Sequence, residues 1–153
     1  MKLYLNFAII SIISIKSIKM LITKASEYAI LSLIIISKKQ EPIGSEKLAK
    51  ELNIPKSFLA KILQALAKND ILKSFKGVNG GFALAKDTND ISMLSVISSV
   101  EGKAPAVFEC SPSINECPSN RAETCSIWPF LNKLQLKIDG FLENLSLADL
   151  IED

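Results

Sequence analysis

Apolar and polar residues alternate at helical spacing in the first folded part of the chain. Between Thr23 and Lys38, apolar side chains recur every three or four positions, which predicts an amphipathic helix. Thr23 is the candidate N-cap, because a threonine hydroxyl can accept a hydrogen bond from the first turn of a helix. Pro42 and Gly44 lie in the break that follows. The pattern therefore predicts a first helix that begins after Thr23 and ends near Lys38.

A short helix and a third helix follow with almost no chain between them. Ser45 is the candidate cap of a helix over 46–52, and Pro55 occupies the first position of a helix that ends near Lys68. Residues 53–54 are then a tight turn. Two helices joined by so short a turn, the first of them brief, are typical of a helix-turn-helix.

The third predicted helix has one apolar face and one face of small, polar or cationic side chains. The apolar face, which we expect to be buried, consists of Phe58, Leu59, Ile62, Leu63 and Leu66. The opposite face consists of Lys56, Ser57, Ala60, Lys61 and Gln64. Such a face can enter the major groove of DNA and reach phosphates and base edges. An ordinary amphipathic helix with a solvated face has the same pattern, so this helix alone leaves both interpretations open.

A β-hairpin is predicted directly after the third helix. Strands over 71–75 and 82–86 flank a glycine-rich turn at 76–81, and a hairpin in this place is a wing. Its turn can approach a phosphate or the minor groove. The candidate DNA contacts outside the third helix are Ser45, Lys76, Asn79 and Gly80. A nucleotide-binding loop has little support, because the glycine spacing matches neither GxGxxG nor GxxxxGK[ST].

The second half of the chain predicts a helix, a long loop and a longer helix. Residues 91–100 form the first of these helices, with Gly102 as a natural C-cap. The loop over 103–125 contains all three cysteines. The apolar set of the helix over 126–145 is too large for the small winged domain to cover, so we interpret it as a dimerisation helix. A short helical turn at 146–150 follows it.

The predicted fold class is mostly α with a small β-hairpin wing: a winged helix-turn-helix domain plus a long C-terminal dimerisation helix. The predicted parts are an extension over 1–19, the winged domain over 20–100, a cysteine loop over 101–125, and the dimerisation helix with its tail over 126–153. The extension faintly resembles a signal peptide, but polar residues interrupt it and no cleavage pattern follows. It is also too short and too polar for a membrane span. We expect translation to begin at Met20; a genuine amphipathic extension is the alternative.

Composition narrows the classes of function. The 153 residues include no histidine, which excludes a Ser-His-Asp triad and a histidine metal site. No nucleophile–base pair or phosphate loop is found, so we expect that the chain is not an enzyme and does not bind a substrate for catalysis. Residues 20–90 contain eleven lysines against seven acidic residues, whereas residues 101–153 contain four basic and nine acidic residues. The basic first part suits a polyanion such as DNA.

The order and spacing of these segments resemble a known family, the IscR/NsrR-type winged-helix regulators, many of which hold an iron–sulfur cluster. The resemblance covers residues 20–153, and Met20 falls where members of that family usually start. The segments that carry it are 21–30, 54–59, 76–82, 96–102 and the three-cysteine loop.

The resemblance implies a function and several contacts. It implies a cytoplasmic homodimer, with no membrane segment, that represses or activates transcription by binding double-stranded DNA at a pseudo-palindromic operator. It puts Ser57 and its neighbours against the DNA and Lys76 at the wing tip. Ala60 stands where one branch of the family has an acidic residue that discriminates bases, so the operator sequence is expected to differ from that branch.

The cysteine loop is the candidate sensor. Cys110, Cys117 and Cys125 are spaced C-x6-C-x7-C, and thiolates are the soft ligands that iron–sulfur clusters select. The resemblance implies that they hold a cluster, either 2Fe–2S or 4Fe–4S. For the fourth ligand, some relatives use a histidine three residues after the last cysteine, a position that is Trp128 here. Others use a carboxylate in the first helix of the partner subunit, and Glu27 occupies that position.

Other interpretations of the same residues stay open. Without the resemblance the cysteine spacing is a weak signal, because it lacks the C-x2-C pairs of zinc ribbons and ferredoxins. The thiols could instead form a redox switch that closes a disulfide, bind zinc, or remain reduced without a metal. A more distant alternative is a small iron–sulfur protein that uses its winged domain for protein contacts rather than for DNA.

Overall fold

The structure, a computed structural model, describes residues 22–78 and 80–151. Within these residues it has five α-helices and one β-hairpin: α1 (Lys24–Ser37), α2 (Ser45–Leu52), α3 (Lys56–Lys68), β1 (Leu72–Phe75), β2 (Gly81–Leu84), α4 (Met93–Glu101) and α5 (Trp128–Asn144). Short 3-10 turns lie at Thr88–Asp90, Ile114–Glu116, Ala122–Thr124 and Ala148–Leu150. This order confirms the predicted fold class. None of the described helices is long and apolar enough to cross a membrane.

Two of the predicted helix caps are confirmed. The Thr23 side chain accepts hydrogen bonds from the backbone N–H groups of Ala25 and Ser26, as an N-cap of α1 should. Gly102 closes α4 with a φ of 73°, a left-handed conformation that glycine adopts without steric cost. Both residues act on their own helix end, so local sequence was enough to identify them.

Two other predicted helix starts were wrong by one residue. Ser45 is the first residue of α2 rather than its cap, because the Gly44 carbonyl already accepts a hydrogen bond from Leu48 at 3.1 Å. Pro55 is the N-cap of α3 rather than its first residue, because its carbonyl accepts from Leu59 at 3.1 Å. Asn53, with a φ of 54°, supplies the tight turn between the two helices.

The wing is an antiparallel hairpin that is tied to the chain before α2. Leu72 pairs with Leu84 and Phe75 with Gly81, so the strands are shorter than the predicted 71–75 and 82–86. Ile43 adds two 3.0 Å backbone hydrogen bonds to Phe82. A Cβ on Gly81 would lie 2.4 Å from the Ile43 carbonyl carbon, which explains why a glycine stands at this crossing.

The core lies between α1, α3 and α4, with α2, the start of β1 and the end of the chain packed around it. Its fully buried side chains include Leu33, Leu48, Leu59, Leu63, Leu66, Ile91, Val96, Ile97 and Leu147. One predicted core residue is not buried: Phe58 remains 37% exposed. Its ring packs edge-to-face on Tyr28 of α1, with the ring centroids 6.0 Å apart, at the margin of the core.

The end of the chain returns to the start of α4. Leu147 donates to the Ile91 carbonyl and Met93 donates to the Leu145 carbonyl, both at 2.8 Å. This pairing occupies the backbone of Ile91, and Ser92 caps α4, so α4 begins at Met93 rather than at the predicted residue 91. The C-terminal end of α5 is therefore fastened to the winged domain of its own subunit.

Candidate nucleic-acid interface and cysteine loop

The side chains predicted to meet DNA lie on the solvent side of α3. Leu59, Ile62, Leu63 and Leu66 bury the opposite side of this helix in the core. On the outer side Lys56, Ser57, Lys61 and Gln64 are exposed, and Ala60 is half-buried. The surface is therefore small, polar and cationic, which suits contact with a phosphate backbone and base edges.

Lys56 does not stand alone on this surface. Its ammonium lies 2.9 Å from a carboxylate oxygen of Glu46 on α2, and Lys50 lies 3.7 Å from the other oxygen of the same carboxylate. The hydrogen bond and charge of Lys56 hold the pKa of Glu46 below its usual value. Within the part of the chain that the structure describes, Lys61 has no carboxylate partner. On the outer face of α3, Lys56 is therefore already paired with a carboxylate, whereas Lys61 is available to contact a phosphate.

The wing extends from the end of α3 and packs against it. Lys76 is exposed, and Val78 at the tip is fully exposed at 104%. The N–H of Gly80 donates to the Gly77 carbonyl at 3.0 Å, so the turn itself uses this predicted phosphate donor. Asn79 lies outside the described residues. Ser45 is half-buried in the first turn of α2.

The three cysteines lie in one loop, and each is half-buried and free of a disulfide. Two of them occupy equivalent places. Cys117 follows the 3-10 turn Ile114–Glu116, and Cys125 follows the 3-10 turn Ala122–Thr124; each donates its N–H back into the turn. The Sγ of Cys117 also accepts a hydrogen bond from the Arg121 N–H at 3.4 Å.

The environment of Cys117 favours the thiolate. Hydrogen bonds from the backbone N–H of Arg121, and then of Ser119, hold the pKa of this thiol below its usual value. A thiolate is the form that binds metals and that reacts with oxidants or disulfides. The loop therefore contains one thiol whose chemistry is promoted by its own backbone.

A single chain does not assemble the predicted ligand set. Among the described residues, no group of three or more cysteine, histidine or acidic side chains lies close enough to hold a metal ion. Glu27 is exposed on the first turn of α1 and forms a 2.6 Å ion pair with Lys24. Because the resemblance assigned Glu27 to the partner subunit's cluster, its role remains a prediction.

A polar network that the sequence pattern did not predict lies beside the first cysteine. Gln135, 2% exposed, lies in the predicted apolar face of α5 and exchanges hydrogen bonds with the loop. Trp128 and Asn132 donate to carbonyls of the same loop segment. The sequence does contain a signal, because Trp128, Asn132 and Gln135 can form hydrogen bonds and recur at spacings of four and three within an otherwise apolar helix. Their hydrogen-bond partners, however, are 18 to 30 residues away in the sequence.

The comparisons with known proteins agree with this architecture. YffB of Lactococcus lactis, named as an HTH-type transcriptional regulator, is 30% identical over 132 residues, covering 83% of this chain and 84% of that protein. The HTH-type transcriptional regulator IscR of Serratia proteamaculans is 26% identical over 136 residues, covering 88% and 80%. Both names are those of transcription regulators, not of enzymes.

A solved structure shares the fold. The structure of CymR, the global cysteine regulator of B. subtilis, matches with a TM-score of 0.64 and 22% identity, covering 86% of this chain and 95% of that one. The Rrf2 family, described as an iron-dependent transcriptional regulator, matches residues 22–153. With its winged helix-turn-helix fold and this match over nearly its whole length, the chain belongs to the Rrf2 family of transcriptional regulators.

Proposed function

We propose that this regulator binds a pseudo-palindromic operator as a homodimer, with α3 of each subunit in successive major grooves. The observation that carries the proposal is the outer face of α3. It is exposed, small and cationic, while the other face of the same helix anchors it rigidly in the core. Lys56, Ser57, Ala60, Lys61 and Gln64 would contact phosphates and base edges in the major groove. Ser45, Lys76 and Asn79 would contact the flanking backbone, and Gly80, whose N–H is used within the turn, would allow that backbone to approach closely.

DNA binding is tested with the full chain and operator candidates selected from random duplexes. Fluorescence anisotropy with the selected duplex should show a log–log dependence of affinity on salt, with a slope of about −0.9 for each phosphate neutralised. Scrambled duplexes of equal length are the control for sequence preference. Binding that does not change with salt, or that does not distinguish selected from scrambled duplexes, contradicts the proposal.

The proposed dimer uses the exposed side of α5. Phe130 and Phe141 are 61% and 65% exposed, and they lie three turns apart on one face of the helix. Leu134, which is half-buried, lies between these two exposed aromatic rings. Such an apolar surface is typical of one that a second copy covers. Because the end of α5 is fastened to α4, pairing of two such helices would also set the separation of the two α3 helices.

We further propose that the cysteine loop holds an iron–sulfur cluster. Three unpaired thiols within sixteen residues of one loop, with no competing histidine anywhere in the chain, match the donor set that such clusters select. When bound, the cluster supplies a redox- and nitric-oxide-sensitive centre. Loading requires Cys110, Cys117 and Cys125 to converge, and this convergence is the structural change that would alter the placement of the winged domains.

Glu27 is the proposed fourth ligand, supplied by the partner subunit. It is exposed at the start of α1, and among the described residues its ion-pair partner is Lys24, which is exposed as well. Such pairs contribute little stability, so the carboxylate can exchange one partner for another at low cost. A carboxylate ligand is harder than a thiolate and would leave one iron more open to exchange.

The cluster is tested by anaerobic purification of the full chain, followed at once by a visible spectrum and counts of iron and sulfide. A brown protein containing both elements, bleached by Cys110→Ala but not by the surface control Lys133→Gln, is the expected result. A colourless protein after anaerobic reconstitution overturns the cluster. Mass spectrometry after mild oxidation would then show whether two of the thiols close a disulfide, which is the outcome expected of a thiol switch.

A further inference from the structure

One face of α5 is a hydrogen-bonding template for the loop before it. Trp128, Asn132 and Gln135 lie at spacings of four and three residues, which places them on the same side of the helix. Trp128 Nε1 donates to the Cys110 carbonyl at 2.9 Å, and Asn132 Nδ2 donates to the Ser111 carbonyl at 2.9 Å. Gln135 Nε2 donates to the Pro105 carbonyl at 2.8 Å. We call these three side chains the α5 polar stripe.

Gln135 is the buried centre of this contact. Its Oε1 accepts from the Val107 N–H at 2.9 Å and from the Ser111 hydroxyl at 2.6 Å, while its Nε2 also donates to Asp139 at 2.7 Å. Ser111 is fully buried, and its hydroxyl oxygen also accepts from the Phe108 N–H at 3.1 Å. Among the described residues, no buried polar side-chain atom lacks a partner. A fully satisfied buried network of this kind specifies one arrangement, because losing any member leaves buried groups unpaired.

The α5 polar stripe holds Cys110 and not Cys117. The carbonyls of Cys110 and Ser111 both accept hydrogen bonds from α5, and the Val107 N–H before them donates to Gln135, so α5 holds the main chain before and after the Cys110 side chain. The hydrogen bonds described for residues 113–124, by contrast, lie within the loop itself. Cys117 therefore lies in an arm that is ordered by its own turns, whereas Cys110 is part of the α5 unit.

We infer that Trp128, Asn132 and Gln135 are positioning residues that fix Cys110 to the proposed dimerisation helix, so that chemistry at this thiol acts directly on α5. The indole N–H can only donate a hydrogen bond, so Trp128 contributes to the sensor by holding a backbone carbonyl rather than by ligating a metal. Any ligand or oxidant that draws the thiols together must move the Cys117 arm toward Cys110, because Cys110 and α5 already form one body. The regulatory meaning of this arrangement rests on the proposed function, but the positioning does not require a metal.

The test uses the metal-free full chain and a nitroxide label on one thiol at a time. One background keeps only Cys110 (Cys117→Ser, Cys125→Ser), and a matched background keeps only Cys117 (Cys110→Ser, Cys125→Ser). Each is combined with Trp128→Phe, which removes the N–H donor and leaves a smaller aromatic ring, with Gln135→Met, which removes the polar amide at similar volume, and with the surface control Lys133→Gln. Circular dichroism verifies the fold of each protein, and if Gln135→Met does not fold, Trp128→Phe decides.

The expected result is an immobilised electron paramagnetic resonance spectrum at Cys110 that loses its immobile component in Trp128→Phe and in Gln135→Met. The label at Cys117 should keep the same line shape in all variants, and Lys133→Gln should change neither site. A label at Cys110 that is already mobile, that ignores both variants, or that changes no more than the label at Cys117 overturns the inference. Since no metal is present, these outcomes are independent of whether the chain binds a cluster.

Discussion

The Ser26 hydroxyl donates a 2.7 Å hydrogen bond to the Glu101 carboxylate, which joins the first turn of α1 to the last turn of α4. Ser26 is fully buried, and the Thr23 hydroxyl donates to the same carboxylate oxygen. The bond therefore links the helix that carries Glu27 to the helix that leads into the cysteine loop. It is a cross-connection between two segments that are 75 positions apart in the sequence.

Removing this connection should destabilise the protein. Ser26→Ala deletes a hydrogen bond to a charged group in a part-buried setting, which typically costs about 1–3 kcal/mol in the free energy of unfolding. Urea denaturation of the metal-free chain measures it. Ser113→Ala is the control, because Ser113 caps only a local turn of the loop. If the Ser26→Ala and unmodified proteins are equally stable, water replaces the lost hydrogen bond to the Glu101 carboxylate without a loss in the free energy of unfolding.

Cap positions show how much of this fold local sequence can predict. Thr23 and Gly102 were identified correctly because each acts on its own helix terminus. The starts of α2 and α3 were missed by one residue, since the start depends on which carbonyl accepts the first helical hydrogen bond. Spacing alone cannot decide between two adjacent residues for that role.

Contacts between distant segments are the part that sequence patterns did not predict. Phe58 was expected in the core because it belongs to the apolar stripe of α3, yet its ring meets Tyr28 at the margin. Gln135 interrupts an apolar helix, and nothing nearby in the sequence indicates that its partners are Pro105, Val107 and Ser111. Periodicity predicts which face of an element is buried, but not what chemistry the opposing segment brings to it.

The Glu46–Lys56 ion pair should restrain DNA binding. Glu46 occupies Lys56 at 2.9 Å and adds negative charge beside the proposed phosphate contacts. Glu46→Gln is therefore expected to tighten binding severalfold at low salt, with a smaller effect at high salt because exposed charges are screened. Lys56→Met should weaken binding and reduce the magnitude of the salt slope by about 0.9. Anisotropy titrations over a range of salt measure both effects, and weaker binding by Glu46→Gln would argue that Glu46 orients Lys56 for DNA.

Gly81→Ala should detach the wing from the rest of the domain. The added Cβ would lie 2.4 Å from the Ile43 carbonyl carbon and 2.8 Å from the Gly44 nitrogen, and backbone atoms cannot move aside cheaply. We expect a loss of stability of about 1–3 kcal/mol and weaker DNA binding. Gly140→Ala is the matched control, because a Cβ there meets nothing within 4 Å and alanine favours a helix by about 0.5–1 kcal/mol. A Gly81→Ala protein as stable as the Gly140→Ala protein contradicts this explanation of the crossing.

Asp149 should make the stability of the segment after α5 depend on pH in the acid range. Its carboxylate accepts hydrogen bonds from the Ser146 hydroxyl and backbone N–H, both at 2.7 Å, and these bonds hold its pKa below the usual value. A lowered folded-state pKa contributes stability that is complete above the unfolded pKa, about 3.9, and disappears as the pH falls through the folded pKa.

Asp149→Asn imitates the protonated carboxyl and should therefore lower stability at neutral pH but not at the acid end. Urea denaturation of both proteins at a series of pH values from neutral to strongly acid conditions measures the difference. The gap between them should close as the pH falls below the usual aspartate range. A gap that stays constant throughout would mean that Asp149 contributes through shape rather than through its charge.

The exposed face of α5 provides the sharpest test of the dimer, because the helix offers its own control. Phe141 and Leu136 are 65% and 64% exposed, but they point about 140° apart around the helix axis. Phe141 shares its side of α5 with Phe130, whereas Leu136 does not. Phe141→Asp should shift sedimentation equilibrium strongly toward monomer, since a buried, unpaired charge at an interface is costly.

Leu136→Asp should leave the same equilibrium nearly unchanged if the dimer uses the Phe130–Phe141 side. Neither substitution is expected to unfold the subunit, because both side chains are largely solvated within it. The monomeric Phe141→Asp protein should also lose selective binding to a full operator while it retains weak, salt-sensitive binding to a half-site, because each α3 would then act alone. If Leu136→Asp dissociates the dimer and Phe141→Asp does not, the subunits pair through the Leu136 side of α5, and the proposed dimer interface is wrong.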